Sequence, residues 1–322
     1  MNVPVSAVLL AVVLAGCRTP TTTIQTTPDG VMASGPVPSG ALETRFRSRQ
    51  TYKGWPDSWL ISNGRVWAAV VPAVGRIMQF GFVNEPGVFW ENPELLGRGM
   101  PEKPWDTMGS FGGDKTWPAP QSVWNWPPPD VFDREPVTVR ETPGGLTLDS
   151  GVSPRFGIRT ERQVVIEPGA SVLRVTTTYH KVEGEPVDVS VWVISQLKNP
   201  EAVFLPVPAD SRFADGCSRQ WGMPTNFITR QGSQIRLTRD PQGSHKIGND
   251  ADRMIWQDAR NRLTIESPRI PGATYPDEGC SMEIYTNGGV ADYVELETLG
   301  PLRRLAPGDS LTAVNLYRLE RR

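Results

Sequence analysis

Alternating apolar and polar residues recur along most of the chain, and this period of two predicts β-strands joined by tight turns. In residues 59–72, for example, two runs rich in β-formers surround an Asn-Gly pair, which is typical of a two-residue hairpin loop. The predicted hairpins turn at Asn63-Gly64, Pro168-Gly169, Gln231-Gly232 and residues 259–261.

Further strands are predicted over residues 76–83, 187–195, 281–287, 292–300 and 310–321. Convincing helical periodicity is absent from the sequence, and the strands number about fifteen. An all-β chain of this kind, with Gly and Pro at its turns, indicates a large antiparallel sandwich. Without an internal repeat, a propeller is disfavoured.

One long interruption separates the predicted strands, between Trp90 and Glu135. Within it, residues 109–130 hold three tryptophans and five prolines and fit neither a helix nor a strand. A loop of this length in a compact domain is usually functional or disordered. Its aromatic content argues against disorder, so we expect a functional loop.

Composition narrows the function. The chain of 322 residues has a net charge of −2 and no basic block, which argues against a nucleic-acid partner. The His and Cys residues do not have zinc-site spacing, and neither a phosphate-binding loop nor a Gly-x-Ser-x-Gly elbow occurs. We therefore expect no metal and no cofactor.

The N-terminus predicts export. An apolar run over residues 5–14 has the length of a signal-peptide core and is too short to span a bilayer. It leads into Leu14-Ala15-Gly16-Cys17, which resembles a bacterial lipoprotein signal with Cys17 as the lipidated residue. A plain secretory signal with a chance cysteine is the alternative.

These features divide the chain into a signal peptide (1–16), a Thr/Pro/Ser-rich tether (17–40) and one folded domain (41–322). We expect the protein to be membrane-attached through its lipid in the bacterial cell envelope. Arg18 in place of Asp favours the outer membrane if the host is Gram-negative. Cys217 and Cys280 either form a disulfide in this compartment or remain two buried thiols.

Several short motifs resemble galactose mutarotase-like domains. The N-terminal matches are Asn63, Val71-Pro72, Gly75-Arg76-Ile77 and Trp90-Glu91-Asn92-Pro93. The C-terminal matches are Glu295, Glu297, Gly300-Pro301, Leu305 and Pro307-Gly308. Residues 112–121 and 245–258 look more particularly like an uncharacterised bacterial family within that superfamily. The resemblance implies a large antiparallel β-supersandwich whose concave sheet face binds sugars.

A sugar site needs flat aromatic faces for stacking and planar or charged groups for paired hydroxyls. The candidate binding residues are Arg76, Glu91, Asp114, Lys115, Trp117, Gln121, Trp124 and Lys246. For the tryptophans the alternative is a hydrophobic plug at one end of the sandwich. For Arg76 and Glu91 the alternative is a structural role as a buried Arg–Glu ion pair.

Proton transfer at a sugar would need a carboxylate base and an acid on opposite sides of the ring. In residues 292–298, Tyr293, Glu295 and Glu297 share one strand face, while Val294 and Leu296 share the other. Glu297 and Glu295 are the candidate bases, unless this face is simply solvated. The candidate acids are His180, His245 and Lys115, although neither histidine lies in the motif of aldose epimerases.

Three functions are compatible with these residues. The first is a lipid-anchored protein with a carbohydrate ligand, built around the Trp-rich loop and the carboxylates near Glu295. The second is an active sugar epimerase or polysaccharide-processing enzyme. The third is a non-catalytic envelope or assembly module whose tryptophans bind another protein. The oligomeric state is left open.

Overall fold

Strands make up most of the computed structural model, which describes residues 23–27, 30–34, 46–99, 110–222 and 226–322. The strands up to residue 198 are β1 Thr23–Thr27, β2 Gly30–Ser34, β3 Phe46–Tyr52, β4 Trp55–Ser62, β5 Val66–Val71, β6 Arg76–Phe82, β7 Asp114–Ala119, β8 Thr138–Thr142, β9 Gly145–Ser153, β10 Ile158–Ile166, β11 Val172–Lys181 and β12 Val187–Lys198. The later strands are β13 Ala202–Pro206, β14 Ser218–Trp221, β15 Ile228–Gln231, β16 Gln234–Leu237, β17 His245–Asn249, β18 Arg253–Gln257, β19 Asn261–Glu266, β20 Met282–Thr286, β21 Tyr293–Leu299, β22 Arg303–Leu305 and β23 Ser310–Arg321. The helices are short: α1 Asp130–Asp133 and the 3-10 turns Pro72–Val74, Gln121–Val123 and Asp277–Gly279.

Two large antiparallel sheets contain nearly all of these strands. One sheet has ten strands in the order β15-β16-β13-β18-β19-β23-β11-β10-β9-β8. The other has eleven, in the order β14-β17-β20-β21-β12-β7-β6-β5-β4-β3, with β22 paired to β12 beside this path. The predicted all-β sandwich is thus confirmed. The two remaining strands, β1 and β2, pair with each other inside the predicted tether.

The predicted hairpin at Asn63-Gly64 is present between β4 and β5, and Gly64 supplies the positive φ of 84° that the turn requires. The Asn63 side chain also ties the two sheets together. Its Oδ1 accepts hydrogen bonds from the backbone of residues 65 and 66, while its Nδ2 donates to the carbonyls of Glu167 and Ala170 in the β10–β11 turn.

The main core lies between the two sheets and contains the apolar residues of β21. Val294 and Leu296 are fully buried there together with Ile284 of β20. Because side chains alternate along a strand, Tyr293, Glu295 and Glu297 point to the opposite face of the eleven-stranded sheet. That face carries the site described below.

The Trp-rich segment departs from the prediction. Residues 114–119, which were expected to be irregular, form the fully buried strand β7 between β12 and β6. The prolines argued against a strand in the sequence, because proline is normally confined to sheet edges. Pro118 is tolerated because β7 pairs with β6 only through Ile77 and Asp114, so its remaining residues lack a ladder partner on that side.

The N-terminal predictions mostly fall outside the structure. The signal peptide 1–16 and Cys17 lie outside the described residues, so lipidation remains a prediction. No helix in the described ranges is long and apolar enough to cross a membrane. Cys217 and Cys280 are both free thiols, the first partly exposed and the second buried.

Candidate functional site

A cavity of about 460 Å³ opens on the face of the eleven-stranded sheet that points away from the main core. Its volume falls within the range of small-molecule sites, roughly 300–1,000 Å³. Its lining combines six aromatic rings with charged and amide groups. The lining residues are Ser110, Trp117, Gln121, Trp126, Trp192, Trp221, Lys246, Tyr285, Tyr293, Glu295 and Glu297.

Strand register brings these distant residues together. One row of cross-strand partners runs over five neighbouring strands: Trp221 on β14, Lys246 on β17, Tyr285 on β20, Glu295 on β21 and Gln196 on β12. Such partners have Cβ atoms about 4.5–5.5 Å apart, so the row brings these side chains into one neighbourhood.

A second row lies two residues further along the strands. It joins Glu283 of β20 to Glu297 of β21 and continues through Ile194 of β12 to Lys115 of β7. Trp192 and Trp117 pair next to it on β12 and β7. Because side chains two apart share a face, both rows face the same side of the sheet.

Glu297 is the best-connected carboxylate of the cavity. Its Oε2 accepts hydrogen bonds from Trp192 Nε1 at 2.7 Å and from Lys246 Nζ at 2.9 Å. It is almost fully buried, and charge-assisted hydrogen bonds of this kind hold a carboxylate in one orientation. The other oxygen, Oε1, is not engaged by either of these donors.

Glu295 has a different environment. Its Oε1 accepts a hydrogen bond from Gln196 Nε2 at 2.8 Å, and Gln196 in turn accepts one from Ser110 Oγ at 2.6 Å. Burial and the neighbouring Glu297 charge raise the pKa of Glu295 to about 7, although Lys115 and Lys246 act in the opposite direction. A carboxyl group with this pKa exchanges protons readily near neutral pH.

Lys246 lies between two carboxylates. Its Nζ is 2.7 Å from Glu283 Oε2 and 2.9 Å from Glu297 Oε2, and it lies 4.5 Å from the ring centroid of Trp192. Burial lowers the pKa of Lys246, but the two carboxylates outweigh burial and raise it above the ordinary lysine value. Burial raises the pKa of Glu283 to about 7.

A buried ionic network supports Trp117 from behind the cavity. Asp133 Oδ1 accepts hydrogen bonds from Trp117 Nε1 and Arg76 Nη2, both at 2.9 Å, and lies 3.3 Å from Lys115 Nζ. The Lys115 ammonium is 3.7 Å from the Trp117 ring centroid. Burial raises the pKa of Asp133, but Lys115 and Arg76 outweigh it and leave that pKa below its ordinary value. The network fixes the orientation of the Trp117 ring.

Of the twelve residues predicted to bind or react, the structure places five in the cavity wall: Trp117, Gln121, Lys246, Glu295 and Glu297. Lys115 lies directly behind Trp117. The other six, discussed next, do not line this cavity.

Arg76 and Glu91 occupy separate structural positions. Arg76 is fully buried and donates to Asp133 and to the Gly112 carbonyl. Glu91 accepts hydrogen bonds from Tyr52, Lys53 and Gln79. Neither residue lines the cavity. The alternative prediction, a buried ion pair between Arg76 and Glu91, is also wrong.

Asp114 and Trp124 also serve the packing of the domain. Asp114 precedes Lys115 on β7 and therefore points between the sheets, where it binds Arg162, Ser195 and Tyr317. Trp124 is buried, donates from Nε1 to the Pro118 carbonyl and packs edge-on against Trp117. Trp124 therefore packs in a hydrophobic cluster, as the alternative interpretation of the tryptophans predicts.

Both histidines lie away from the cavity. His180 is on β11 of the ten-stranded sheet, with its Nδ1 3.1 Å from Ser310 Oγ. His245 precedes Lys246 on β17 and so faces the other side, where its Nε2 is 2.8 Å from Asp240 Oδ2 and its ring stacks on Phe227. The structure therefore gives neither histidine contact with a ligand in this cavity.

Sequence reasoning missed Trp192, Trp221, Tyr285, Ser110 and the supporting Glu283. Trp192 lies in a strand that is apolar on both faces, which is typical of a core residue. Trp221 ends a short strand with no distinctive pattern. For Glu283 and Tyr285 a signal existed, since residues 282–286 alternate as 293–299 do.

The arrangement can hold a polyhydroxylated ring between aromatic faces and carboxylates. Among the described residues, no group of three or more His, Cys, Asp or Glu side chains is placed to hold a metal ion. The titratable groups among the described residues that line the cavity are Glu295, Glu297, Lys246, Tyr285 and Tyr293.

Comparison with known proteins shows the fold. No protein-family model matches the chain, and no curated protein matches it in sequence. A galactose mutarotase-like protein from Lactobacillus casei is similar in structure, with a TM-score of 0.55, 10% identity, and coverage of 82% of this chain and 100% of that one. A galactose mutarotase-like protein from Clostridium acetobutylicum gives a TM-score of 0.53, 11% identity, and coverage of 88% and 99%. The chain therefore has the galactose mutarotase-like sandwich fold.

Proposed function

We propose that this protein binds carbohydrate in the cavity on the eleven-stranded sheet. The observation that carries the proposal is the placement of Glu295 and Glu297 side by side among the rings of Trp192, Tyr285 and Tyr293. Aromatic rings offer rigid apolar faces to the C–H surface of a sugar. Carboxylates accept hydrogen bonds from adjacent hydroxyl groups.

The mutarotase-like fold supports the same class of ligand. Fold alone does not determine function, but the cavity supplies the site-specific argument. It is concave, mostly aromatic, and carries a few converging polar groups, which is the usual composition of a small-molecule site.

Titration calorimetry with a panel of mono- and oligosaccharides tests the proposal. Replacing Glu297 by Gln removes a carboxylate that accepts two hydrogen bonds in the cavity floor. A charge-assisted hydrogen bond contributes about 1.5–3 kcal/mol, so Glu297→Gln is expected to weaken sugar binding at least about tenfold. The control is Glu141→Gln, because Glu141 is exposed and forms a surface ion pair with Arg47. A panel without any binding sugar would contradict the proposal.

A second candidate function is acid–base catalysis on a bound sugar, as in an epimerase. It is favoured by the position of Glu295 in the cavity wall together with Glu297, where burial and the neighbouring charge raise the pKa of Glu295 to about 7. Polarimetry of freshly dissolved α-glucose and α-galactose tests it. Acceleration by the protein that is lost in Glu295→Gln supports catalysis, whereas no acceleration at high protein concentration restricts the function to binding.

We also propose that the protein is exported and anchored through lipid on Cys17. Support comes from the apolar run over residues 5–14 and the small residues that precede Cys17. Metabolic labelling with palmitate in a bacterial host is the test. Label should enter the protein and be absent from Cys17→Ala, while label in both or in neither would contradict the anchor.

A further inference from the structure

Two tryptophans at the cavity are exposed to solvent. Trp126 is 56% exposed and Trp221 is 60% exposed, and both line the cavity. They are the two aromatic members of the exposed large hydrophobic residues in the described ranges; the others, Val152, Val182, Ile270 and Val290, do not line it. Exposed aromatic surface concentrated at one opening marks an interaction site.

The cavity therefore has two levels. Its floor is closed to solvent, since Trp192 is 3% exposed, Trp117 is 7% exposed and Glu297 is 1% exposed. Trp126 and Trp221 form the rim. The carboxylates that would accept hydrogen bonds from sugar hydroxyls lie at the floor. The rim presents two aromatic rings and has no such pair of carboxylates.

Both rim rings are held by aromatic neighbours. The Trp221 ring stacks on Tyr285 with centroids 5.9 Å apart and planes inclined at 25°, and much of its surface stays exposed. The Trp126 ring packs edge-on against Trp117 at 6.4 Å and 77°. A held ring loses little entropy on binding and suits a stacking platform.

We propose that the ligand is a neutral oligosaccharide, with one sugar unit at the floor beside Glu295 and Glu297 and adjoining units stacked on Trp126 and Trp221. The inference rests on the proposed function and names its ligand class. A free monosaccharide would fill the floor and leave both rim rings unused.

The charges of the cavity favour a neutral chain. Among the described residues, Lys246 is the one cationic side chain that lines it, and its ammonium is bound by Glu297 and Glu283. The carboxylates Glu295 and Glu297 would repel an acidic sugar. Stacking contacts on the rim, by contrast, are independent of charge and suit any sugar unit with an exposed C–H face.

Calorimetry on the full chain with matched series tests the inference. The probes are glucose, cellobiose, cellotriose and cellotetraose, the corresponding galactose, mannose and N-acetylglucosamine series, and oligogalacturonates as the acidic series. We expect affinity in a neutral series to increase at least about tenfold from the monosaccharide to the trisaccharide. Aromatic contacts contribute about 0.5–1.5 kcal/mol each, so Trp126→Ala and Trp221→Ala should each weaken trisaccharide binding about three- to tenfold.

Matched measurements separate this inference from the proposed function. Both variants should weaken trisaccharide binding more than monosaccharide binding, and Trp126→Phe and Trp221→Phe should restore part of the trisaccharide affinity. Ile270→Ala, an exposed residue outside the cavity, should change nothing. Equal affinity for all lengths of a binding series, or equal loss of mono- and trisaccharide binding in the variants, overturns the inference and leaves the proposed function intact. Preference for the acidic series overturns the neutral assignment. Absence of binding to every probe overturns both.

Discussion

The Lys246 ammonium lies 2.9 Å from the Glu297 carboxylate at the floor of the cavity. The same ammonium lies 2.7 Å from Glu283 Oε2, so one cation forms ion pairs with two buried carboxylates. Glu283 also accepts a hydrogen bond from Gln220. The charge of Glu297 is thereby linked to a charge balance that extends behind the cavity.

Replacing Lys246 by Met should destabilise the fold, because it leaves Glu283 and Glu297 buried without their cation. Removing one member of a buried ion pair costs about 3–5 kcal/mol of unfolding free energy. The loss should be larger at pH 8 than at pH 5, since protonation of Glu283, whose pKa is already raised to about 7, relieves the uncompensated charge. Urea unfolding of the wild type and the variant at pH 5 and pH 8 measures this loss of unfolding free energy.

The control for Lys246→Met is Arg304→Met. Arg304 forms an exposed ion pair with Asp188, and such pairs contribute about 0–1 kcal/mol. A Lys246→Met variant as stable as Arg304→Met at pH 8 would show that Lys246 does not balance the buried carboxylates.

Glu295 should make part of the protein's stability depend on pH. Its pKa is about 7 in the folded protein and about 4.3 in an unfolded chain, so the folded state binds the proton more tightly. The contribution of Glu295 to wild-type stability therefore falls as pH rises from about 4.5 to about 7. Glu295→Gln cannot titrate, and its unfolding free energy should rise relative to wild type over this range by up to about 1.4 kcal/mol per pH unit.

Denaturant unfolding of both proteins at pH 5, 6, 7 and 8 gives the difference directly. Glu141→Gln, which alters an exposed carboxylate, should instead run parallel to wild type. Parallel curves for Glu295→Gln and wild type would mean that Glu295 titrates as an exposed glutamate does.

The fold could be predicted from sequence because its signals are local. Alternation along residues 293–299 separates Val294 and Leu296 from Glu295 and Glu297, and the structure places the two sets on opposite faces of β21. Turn chemistry at Asn63-Gly64 and Pro168-Gly169 located the hairpins, since those residues suit the required backbone angles.

The cavity could be predicted only in part because register is not local. Trp221, Lys246, Tyr285 and Glu295 are separated by up to 74 positions in sequence, from 221 to 295, and become neighbours through the pairing of four strands. Asp114 and Lys115 look equally suited to a sugar, yet strand alternation sends Asp114 into the core. The prolines of β7 concealed that alternation.

Asp133 should be essential to the fold, whereas Asp130 on the same short helix should not. Asp133 is buried and accepts hydrogen bonds from Arg76 and Trp117, while Asp130 forms a half-exposed pair with Arg134. Asp133→Asn leaves the Arg76 and Lys115 charges uncompensated and should cost about 3–5 kcal/mol of unfolding free energy. Asp130→Asn should cost less than about 1 kcal/mol. Urea unfolding of both variants at pH 7 compares them, and equal losses would contradict the assigned network.

Both histidines should be dispensable for sugar binding and for any proton transfer in the cavity. His180 lies on the opposite sheet beside Ser310, and His245 faces Asp240 on the side of β17 away from Lys246. We expect the His180→Ala/His245→Asn variant to keep sugar affinity within about twofold of wild type. Because His245 is buried and bonded to Asp240, the variant should lose stability by about 1–3 kcal/mol.

Calorimetry and thermal unfolding of the same preparation separate the two effects, with Glu297→Gln as the variant that should lose binding. Polarimetry extends the comparison to catalysis. Mutarotation by the wild type that persists in the histidine variant would show that proton transfer in the cavity does not need a histidine. Loss of sugar binding or mutarotation in a folded histidine variant would instead show that a histidine reaches the ligand, and it would contradict the placement of the site.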